Sequence, residues 1–193
     1  MQAIEYNHFS SCIINYHYCY SNSLKIFKHL NGISPKRFNN QIKVLNKHCK
    51  MLTIQEILIN NSSNIKRPIV GITFDDGTKD FIKNVYPILK RYNIKATLYI
   101  SSLPYLEKKI MNVHKIHLIQ AKLGINNFKN IFYEILDSYD AKSFVLDELP
   151  KLLKDKLYRY DNDHTRKFKT LLNYRLPYNI LSEILTKIFK NIF

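Results

Sequence analysis

Two adjacent aspartates, Asp75 and Asp76, stand where an apolar, β-branched stretch ends, and Gly77 follows them. Neighbouring residues of an extended chain point to opposite sides, so the two carboxylates can take different tasks. Crowded carboxylates raise one another's pKa unless a cation or hydrogen-bond donors compensate. A divalent metal is a natural solution, because one carboxylate can bind it while the other takes a proton from metal-bound water. The alternative is a surface turn, since Asp-Gly is a common turn dipeptide.

A strand–helix–strand unit is predicted around this pair. The strands cover 68–74 and 95–101, and the helix between them covers about 79–92, where Pro87 interrupts and kinks it. Short connections predict that the two strands are parallel. Reactive groups of parallel α/β folds collect at the carboxyl ends of strands, which is where the two aspartates lie.

Further strand and helix signals precede this unit. An aromatic-rich strand is predicted at 12–20, and a helix should run from the Ser34-Pro35 start to about Lys47. A short strand "CKML" follows, and a capping-box pattern over 53–56 opens a brief helix to about Asn60. The segment "NNSSNIKR" is predicted to be a polar loop.

Beyond Asn112 the pattern is only helical. The predicted helices cover 112–123, 127–138, 143–158, 162–173 and 178–192. We therefore expect an α/β part over 1–110 and a helical segment over 111–193, an insertion or a remnant, within the same domain. The fold class is α/β with a helical C-terminal half.

Composition limits the function classes. The formal net charge is +15, but the lysines are scattered and no nucleic-acid-binding motif accompanies them, so we expect a basic protein with no specific nucleic-acid partner. Three cysteines without CxxC spacing fit a reducing compartment. The N-terminus has no secretory-signal pattern, and no apolar run is long enough for a transmembrane segment. These features predict a cytoplasmic location.

The segment "GITFDDGTKDFIKNVYPILKRYNIKATLYIS" resembles the first motif region of the polysaccharide deacetylase (NodB-homology) family, and the resemblance covers about 13–102. It implies a partial (β/α) barrel of the deacetylase type. It also implies metal-dependent hydrolysis of N-acetyl groups, which are non-peptide C–N bonds, on a glycan. By this resemblance Asp75 matches the general base, and Asp76 matches the aspartate that binds the metal, commonly zinc.

The family's second motif, His-Ser/Thr-x-x-His, is not present. The nearest histidines are His114 and His117, spaced i, i+3 on a predicted helix, where packing or surface roles compete with metal ligation. Arg175 is similar to the arginine of the third motif, although it lies between two helical patterns. His17 of the aromatic strand could project into the barrel, but we expect a packed histidine. No acid histidine is recognised, since His164 lies in a helical segment.

These features predict the N-terminal part of a deacetylase, truncated before the histidine motif. Such a chain would hold its divalent metal weakly or not at all, and a protein partner could cover its unfinished sheet edge. The alternative is a catalytically inactive glycan-binding or interaction module on the same scaffold. A basic nucleic-acid binder is a third hypothesis, which a steep salt dependence of binding would reveal.

Overall fold

The computed structural model describes residues 11–20, 30–59, 67–139, 158 and 160–193. These residues form two compact units. The α/β unit contains 11–20, 31–59 and 67–107, and the helical unit contains the remaining described residues. Each unit has its own apolar core. That both units belong to one domain, divided at 110/111, stays a prediction.

A parallel sheet of four strands forms the centre of the α/β unit. Its strands are β1 (Ser11–Tyr16), β2 (Lys50–Met51), β3 (Ile69–Phe74) and β4 (Thr97–Leu98). β3 pairs with β1 over its whole length, with β2 at its beginning and with β4 at its end. All six residues of β3 are buried, which explains its continuous apolar sequence. The α/β class and the parallel pairing are confirmed, and the described part of the sheet is open, as a partial barrel requires.

Two strands are shorter than predicted. β1 ends at Tyr16 instead of continuing to residue 20, and Cys19 makes a separate parallel bridge to Ile33. β4 has only two paired residues within the predicted 95–101. Strand propensity cannot show where a partner strand ends, and β4 meets β3 only at the last two residues of β3.

Helix α1 (Pro35–His48) begins and ends as its sequence indicates. The Ser34 side chain caps it by accepting a hydrogen bond from the Arg37 N–H at 3.3 Å. At the other end, Arg67 donates to the carbonyl oxygen of Lys47 at 2.5 Å and to that of Cys49 at 3.0 Å. A cation at a helix C-terminus satisfies carbonyl groups that have no partner within the helix, so Arg67 connects α1 to the beginning of β3.

Helix α2 (Ile54–Ile59) opens with the predicted capping box. The Thr53 N–H donates to Glu56 Oε2 at 2.7 Å, and the Glu56 N–H donates to Thr53 Oγ1 at 3.2 Å. The predicted polar loop after this helix lies, apart from Arg67, outside the described residues.

The predicted interruption of the next helix takes the form of a π-helical turn. This turn covers Phe81–Val85, and helix α3 (Tyr86–Arg91) follows it directly. The Tyr86 N–H donates to the carbonyl oxygen of Phe81, five residues earlier. Because Pro87 has no N–H to donate, the α-helical hydrogen-bond pattern cannot continue through it. A short helix, α4 (Leu103–Glu107), ends the α/β unit.

The helical unit consists of α5 (Asn112–Leu123), α6 (Ile125–Leu136), α7 (Asp163–Thr170) and α8 (Tyr178–Ile192), with a π-helical turn over Leu171–Arg175. Its core contains Phe128, Phe132 and Phe168 in edge-to-face contacts with ring centroids 5.2–6.0 Å apart. As predicted, the described part of this unit contains no strand. Most of the predicted helix at 143–158 lies outside the described residues. None of the helices in the described ranges is long and apolar enough to span a bilayer.

Candidate active site

One face of the sheet is covered by helices and is aromatic. The Phe74 ring lies between Tyr16, which stacks on it at 5.3 Å, and the rings of Phe38 and Phe81 at 5.7 and 5.0 Å. Phe74 is only 1% exposed. Side chains alternate along a strand, so the residues on either side of Tyr16 and Phe74 point to the opposite face.

That opposite face carries a connected set of polar side chains at the carboxyl ends of β1 and β3. The buried Thr73 donates from its hydroxyl to Asn15 Oδ1 at 2.9 Å, and Asn15 Nδ2 donates to Asp75 Oδ2 at 2.8 Å. His17 Nε2 lies 3.4 Å from the same Asp75 oxygen. Because the Thr73 hydroxyl occupies the amide oxygen of Asn15, the amide NH₂ group is directed at Asp75. The Asp75 carboxylate is therefore oriented by a fixed donor and accompanied by an imidazole.

Asp75 remains partly accessible to solvent. The exposed fractions of the His17 and Asp75 side chains are 49% and 33%. The backbone of Asp75 is still part of the sheet, because its N–H donates to the carbonyl oxygen of Tyr16 at 3.1 Å. A carboxylate that is held by a rigid backbone, accessible to solvent and next to an imidazole can take part in acid–base chemistry on a bound substrate.

Asp76 does not continue the side-chain alternation of an extended strand after Asp75, because the chain turns at this residue. Asp76 has φ +73° and Gly77 has φ +65°, so both lie in the left-handed region, and the Gly77 N–H donates to the carbonyl oxygen of Asp75 at 3.0 Å. Positive φ at a residue other than glycine is uncommon and is concentrated at functional sites. A Cβ atom at Gly77 would lie 3.1 Å from the Ile100 side chain, a tight contact, and the positive φ by itself favours glycine here.

Asp76 lies near Tyr18, the residue that follows His17. Burial raises the pKa of the Tyr18 hydroxyl, and the negative charges of Asp76 and Asp80 raise it further. Both effects disfavour ionisation of the Tyr18 hydroxyl.

Asp80 fastens the end of this turn to the chain beyond β1. Its Oδ2 accepts the N–H of Cys19 at 2.5 Å, and its Oδ1 accepts the hydroxyl of Thr78. Asn84 Nδ2 donates to the carbonyl oxygen of Cys19 at 2.6 Å. Charge-assisted hydrogen bonds are the strong ones, so this clamp holds the segment that carries both aspartates against the end of β1.

The position of Cys19 in this clamp also predicts how reactive its thiol is. Burial, followed by the nearby Asp80 charge, raises the pKa of the Cys19 thiol from the ordinary 9.0 to about 12. A pKa higher by about three units lowers the reactive thiolate fraction at pH 8 about a thousandfold. We expect iodoacetamide to modify the exposed Cys12 at pH 8 and to leave Cys19 unmodified until urea unfolds the protein.

Mass spectrometry of tryptic peptides measures both sites at once. Asp80→Asn removes the charge and should increase Cys19 labelling in the native protein, while Asp137→Asn, an exposed change at the end of α6, should have no effect. Equal labelling rates at Cys12 and Cys19 in the folded protein would contradict the buried clamp.

The raised thiol pKa also has a consequence for stability. The folded state holds the Cys19 proton more tightly than the unfolded state. The protonated thiol therefore contributes to the free energy of unfolding fully below pH about 9, and this contribution is lost as the pH rises towards about 12.

The other sequence candidates belong to the helical unit. His114 and His117 are on α5, and Arg175 is the last residue of a π-helical turn, so all three belong to the helical unit. His164 is on α7 of the same unit. The expectation that His17 is a packed histidine is wrong, because its side chain is half exposed and lies beside Asp75. Strand β1 ends at Tyr16, and His17 therefore projects from the end of the sheet beside Asp75.

The donor set for a metal is incomplete in the part of the chain that the structure describes. Those residues contain no group of three or more His, Cys, Asp and Glu side chains that could hold a metal ion. Catalytic zinc sites normally use three protein ligands. The described residues therefore do not fit a complete zinc site around Asp76.

Sequence comparison shows what the segment that carries the two aspartates is similar to. A model of the polysaccharide deacetylase family matches residues 62–118, a range that includes β3, both aspartates and Gly77. In this range the chain is similar to the polysaccharide deacetylase family. The family is generally metal-dependent. The chain is also similar to poly-β-1,6-N-acetyl-D-glucosamine N-deacetylases of Staphylococcus aureus. Those of strains MSSA476 and MRSA252 are each 29% identical to it over 170 residues, which cover 81% of this chain and 56% of theirs.

The chain thus spans about 56% of the length of these deacetylases. Among solved structures, it is similar to the Streptococcus pyogenes deacetylase PplD in complex with acetate, with 21% identity and a TM-score of 0.43 over 91% of this chain and 79% of that one. It is also similar to IcaB from Ammonifex degensii, with 17% identity and a TM-score of 0.44 over 94% and 81% of the respective chains.

Reasoning from the sequence did not find Asn15 or Asp80 as parts of this polar network. Asn15 has a usable signal, because it lies two residues before His17 and must share its face of the strand. Asp80 has none, since its partner, the Cys19 N–H, is 61 residues away in sequence.

Proposed function

We propose that this chain is a deacetylase that hydrolyses N-acetyl groups of a glycan, with Asp75 as the general base. The observation that carries the proposal is the Asp75 carboxylate, oriented by Asn15 and adjoined by His17 at the carboxyl edge of a parallel sheet. The match of residues 62–118 to the polysaccharide deacetylase family supports the reaction class.

The pair Asp75 and His17 can supply both proton transfers of amide hydrolysis. Asp75 takes a proton from water as the water oxygen bonds to the acetyl carbon, and the C–N bond then breaks. His17, when protonated, can donate to the leaving nitrogen, which departs as the amine of the sugar while the acyl group becomes acetate. Asn15 acts through Asp75 as a positioning residue, because its NH₂ group fixes the carboxylate.

For the substrate we propose a polymer or oligomer of N-acetylglucosamine. This follows from the similarity to the staphylococcal deacetylases, whose names specify poly-β-1,6-N-acetyl-D-glucosamine. The deciding experiment incubates the purified chain with a β-1,6-linked N-acetylglucosamine pentamer and follows released acetate enzymatically. We expect acetate in proportion to protein. Binding of the pentamer without any acetate would favour the alternative, a catalytically inactive glycan-binding module.

For the metal we propose weak zinc binding through Asp76. A single carboxylate is far from the usual three protein ligands, so zinc should be lost easily. After dialysis against metal-free buffer, elemental analysis by mass spectrometry should find much less than one zinc per chain. One zinc per chain that disappears in Asp76→Ala but persists in the exposed control Asp137→Ala would overturn this prediction.

A protein partner at the sheet edge remains part of the proposal. Among the described residues β1 pairs only with β3, and Ile13 on β1 is 54% exposed. An open edge strand with apolar side chains is a surface that proteins usually cover.

A further inference from the structure

A third strand contributes to the row of side chains that contains His17 and Asp75. β4 is paired with β3 so that Leu98 lies opposite Phe74, and the Tyr99 N–H donates to the carbonyl oxygen of Phe74 at 2.8 Å. The next residue of each strand therefore shares the opposite face, which places Tyr99 beside Asp75. Adjacent strands are about 5 Å apart, so the row is His17, Asp75 and Tyr99 across three neighbouring strand ends.

The burial of the two neighbours supports this orientation of Tyr99. Leu98 packs against the aromatic and aliphatic core on the helix-covered face, whereas Tyr99 is 52% exposed. The following residue, Ile100, lies against Gly77, where a Cβ atom would be 3.1 Å from it. The chain after β4 is thereby packed against the turn that carries both aspartates, and Tyr99 is not on a separate, distant loop.

An exposed aromatic ring at this place needs an explanation. Ligand sites combine aromatic surface with a few convergent polar groups, and Asn15, His17 and Asp75 are such polar groups. A hexosamine ring presents its axial C–H bonds on one face, and these pack favourably on the face of a tyrosine ring. Such stacking would place the substituents of the sugar, including an N-acetyl group, at the side of the ring where Asp75 lies.

We propose that Tyr99 is the substrate-binding residue on which the sugar that carries the reacting N-acetyl group stacks. The inference rests on the proposed deacetylase function and adds a specificity-determining contact to it. The ring, and not the hydroxyl, makes the contact.

The experiment compares Tyr99→Ala, Tyr99→Phe and Tyr86→Ala. Tyr86 on α3 is a matched control, because its exposed fraction is 51% and it lies outside the row of His17, Asp75 and Tyr99. The Kd of the β-1,6-linked N-acetylglucosamine pentamer is measured by isothermal titration calorimetry, and circular dichroism verifies that each variant is folded. An aromatic contact of this kind changes affinity roughly tenfold.

We expect Tyr99→Ala to raise the Kd roughly tenfold, and Tyr99→Phe and Tyr86→Ala to stay within about twofold of the unsubstituted protein. An unchanged Kd in Tyr99→Ala, an equal loss in Tyr86→Ala, or no binding of the pentamer to the unsubstituted protein would each overturn the proposal. Should Tyr99→Phe be as weak as Tyr99→Ala, ring stacking is the wrong explanation.

The acetate assay distinguishes this proposal from the deacetylase proposal. Binding that depends on the Tyr99 ring without any acetate release would retain the stacking site and refute the catalytic function. Acetate release with an unchanged KM in Tyr99→Ala would retain the function and refute the stacking site.

Discussion

Asp75→Asn should lower the rate of acetate release from the N-acetylglucosamine pentamer by at least about a hundredfold, the range expected for removing a general base. The substitution keeps the shape of the side chain and one acceptor oxygen, so the hydrogen bond from Asn15 Nδ2 can persist. What disappears is the negative charge that accepts the proton of water. The loss should therefore appear in kcat, while KM changes little.

The matched control is Asp137→Asn, which removes the same charge at an exposed position at the end of α6. Its rate should equal that of the unsubstituted protein. Thermal unfolding of both variants verifies folding. A folded Asp75→Asn variant with more than about a tenth of the original kcat would exclude Asp75 as the general base.

Phe74→Ala should destabilise the protein by about 3–5 kcal/mol. The ring is 1% exposed and contacts aromatic rings from three other parts of the α/β unit, namely Tyr16, Phe38 and Phe81. The substitution leaves a cavity, and rings held on separate elements cannot all move into it. The loss in the free energy of unfolding therefore includes both the lost burial of the ring and the energy of the remaining cavity. The free energy of unfolding is obtained from urea titrations followed by far-ultraviolet circular dichroism.

Phe74→Leu is the companion variant, and its smaller cavity should cost clearly less than the alanine substitution. Phe168→Ala provides a comparison in the core of the helical unit, where the ring is also fully buried. A loss below about 1 kcal/mol in Phe74→Ala would mean that the aromatic cluster under the candidate site does not support it.

Much of the local structure could be predicted because its causes lie close together in sequence. The Ser34 cap with its following proline, and the reciprocal bonds of Thr53 and Glu56, each involve residues within one helical turn. The approximate first and last residues of the helices could likewise be predicted from hydrophobic periodicity. The strand ends were not, because each depends on a partner that is distant in sequence.

In the candidate site, too, some residues could be found from their local sequence and others could not. Asp75 and Asp76 were identified from the residues around them, and their catalytic and metal-binding roles stay proposals. The sequence analysis expected strand alternation to direct the two side chains to opposite sides. Alternation does not apply at Asp76, because this residue adopts a left-handed conformation. The residues that contact Asp75 are Asn15 on β1 and His17 just beyond the end of β1.

The sequence by itself determined the resemblance to polysaccharide deacetylases, the α/β order of the first half and the strand end that carries the two carboxylates, because short motifs and periodic patterns encode these features locally. Only the tertiary structure decided that an amide and an imidazole from β1 and its continuation meet Asp75, and that Tyr99 stands on its other side. These neighbours are set by the register of parallel strands. That register results from packing between residues many positions apart, which no local pattern records.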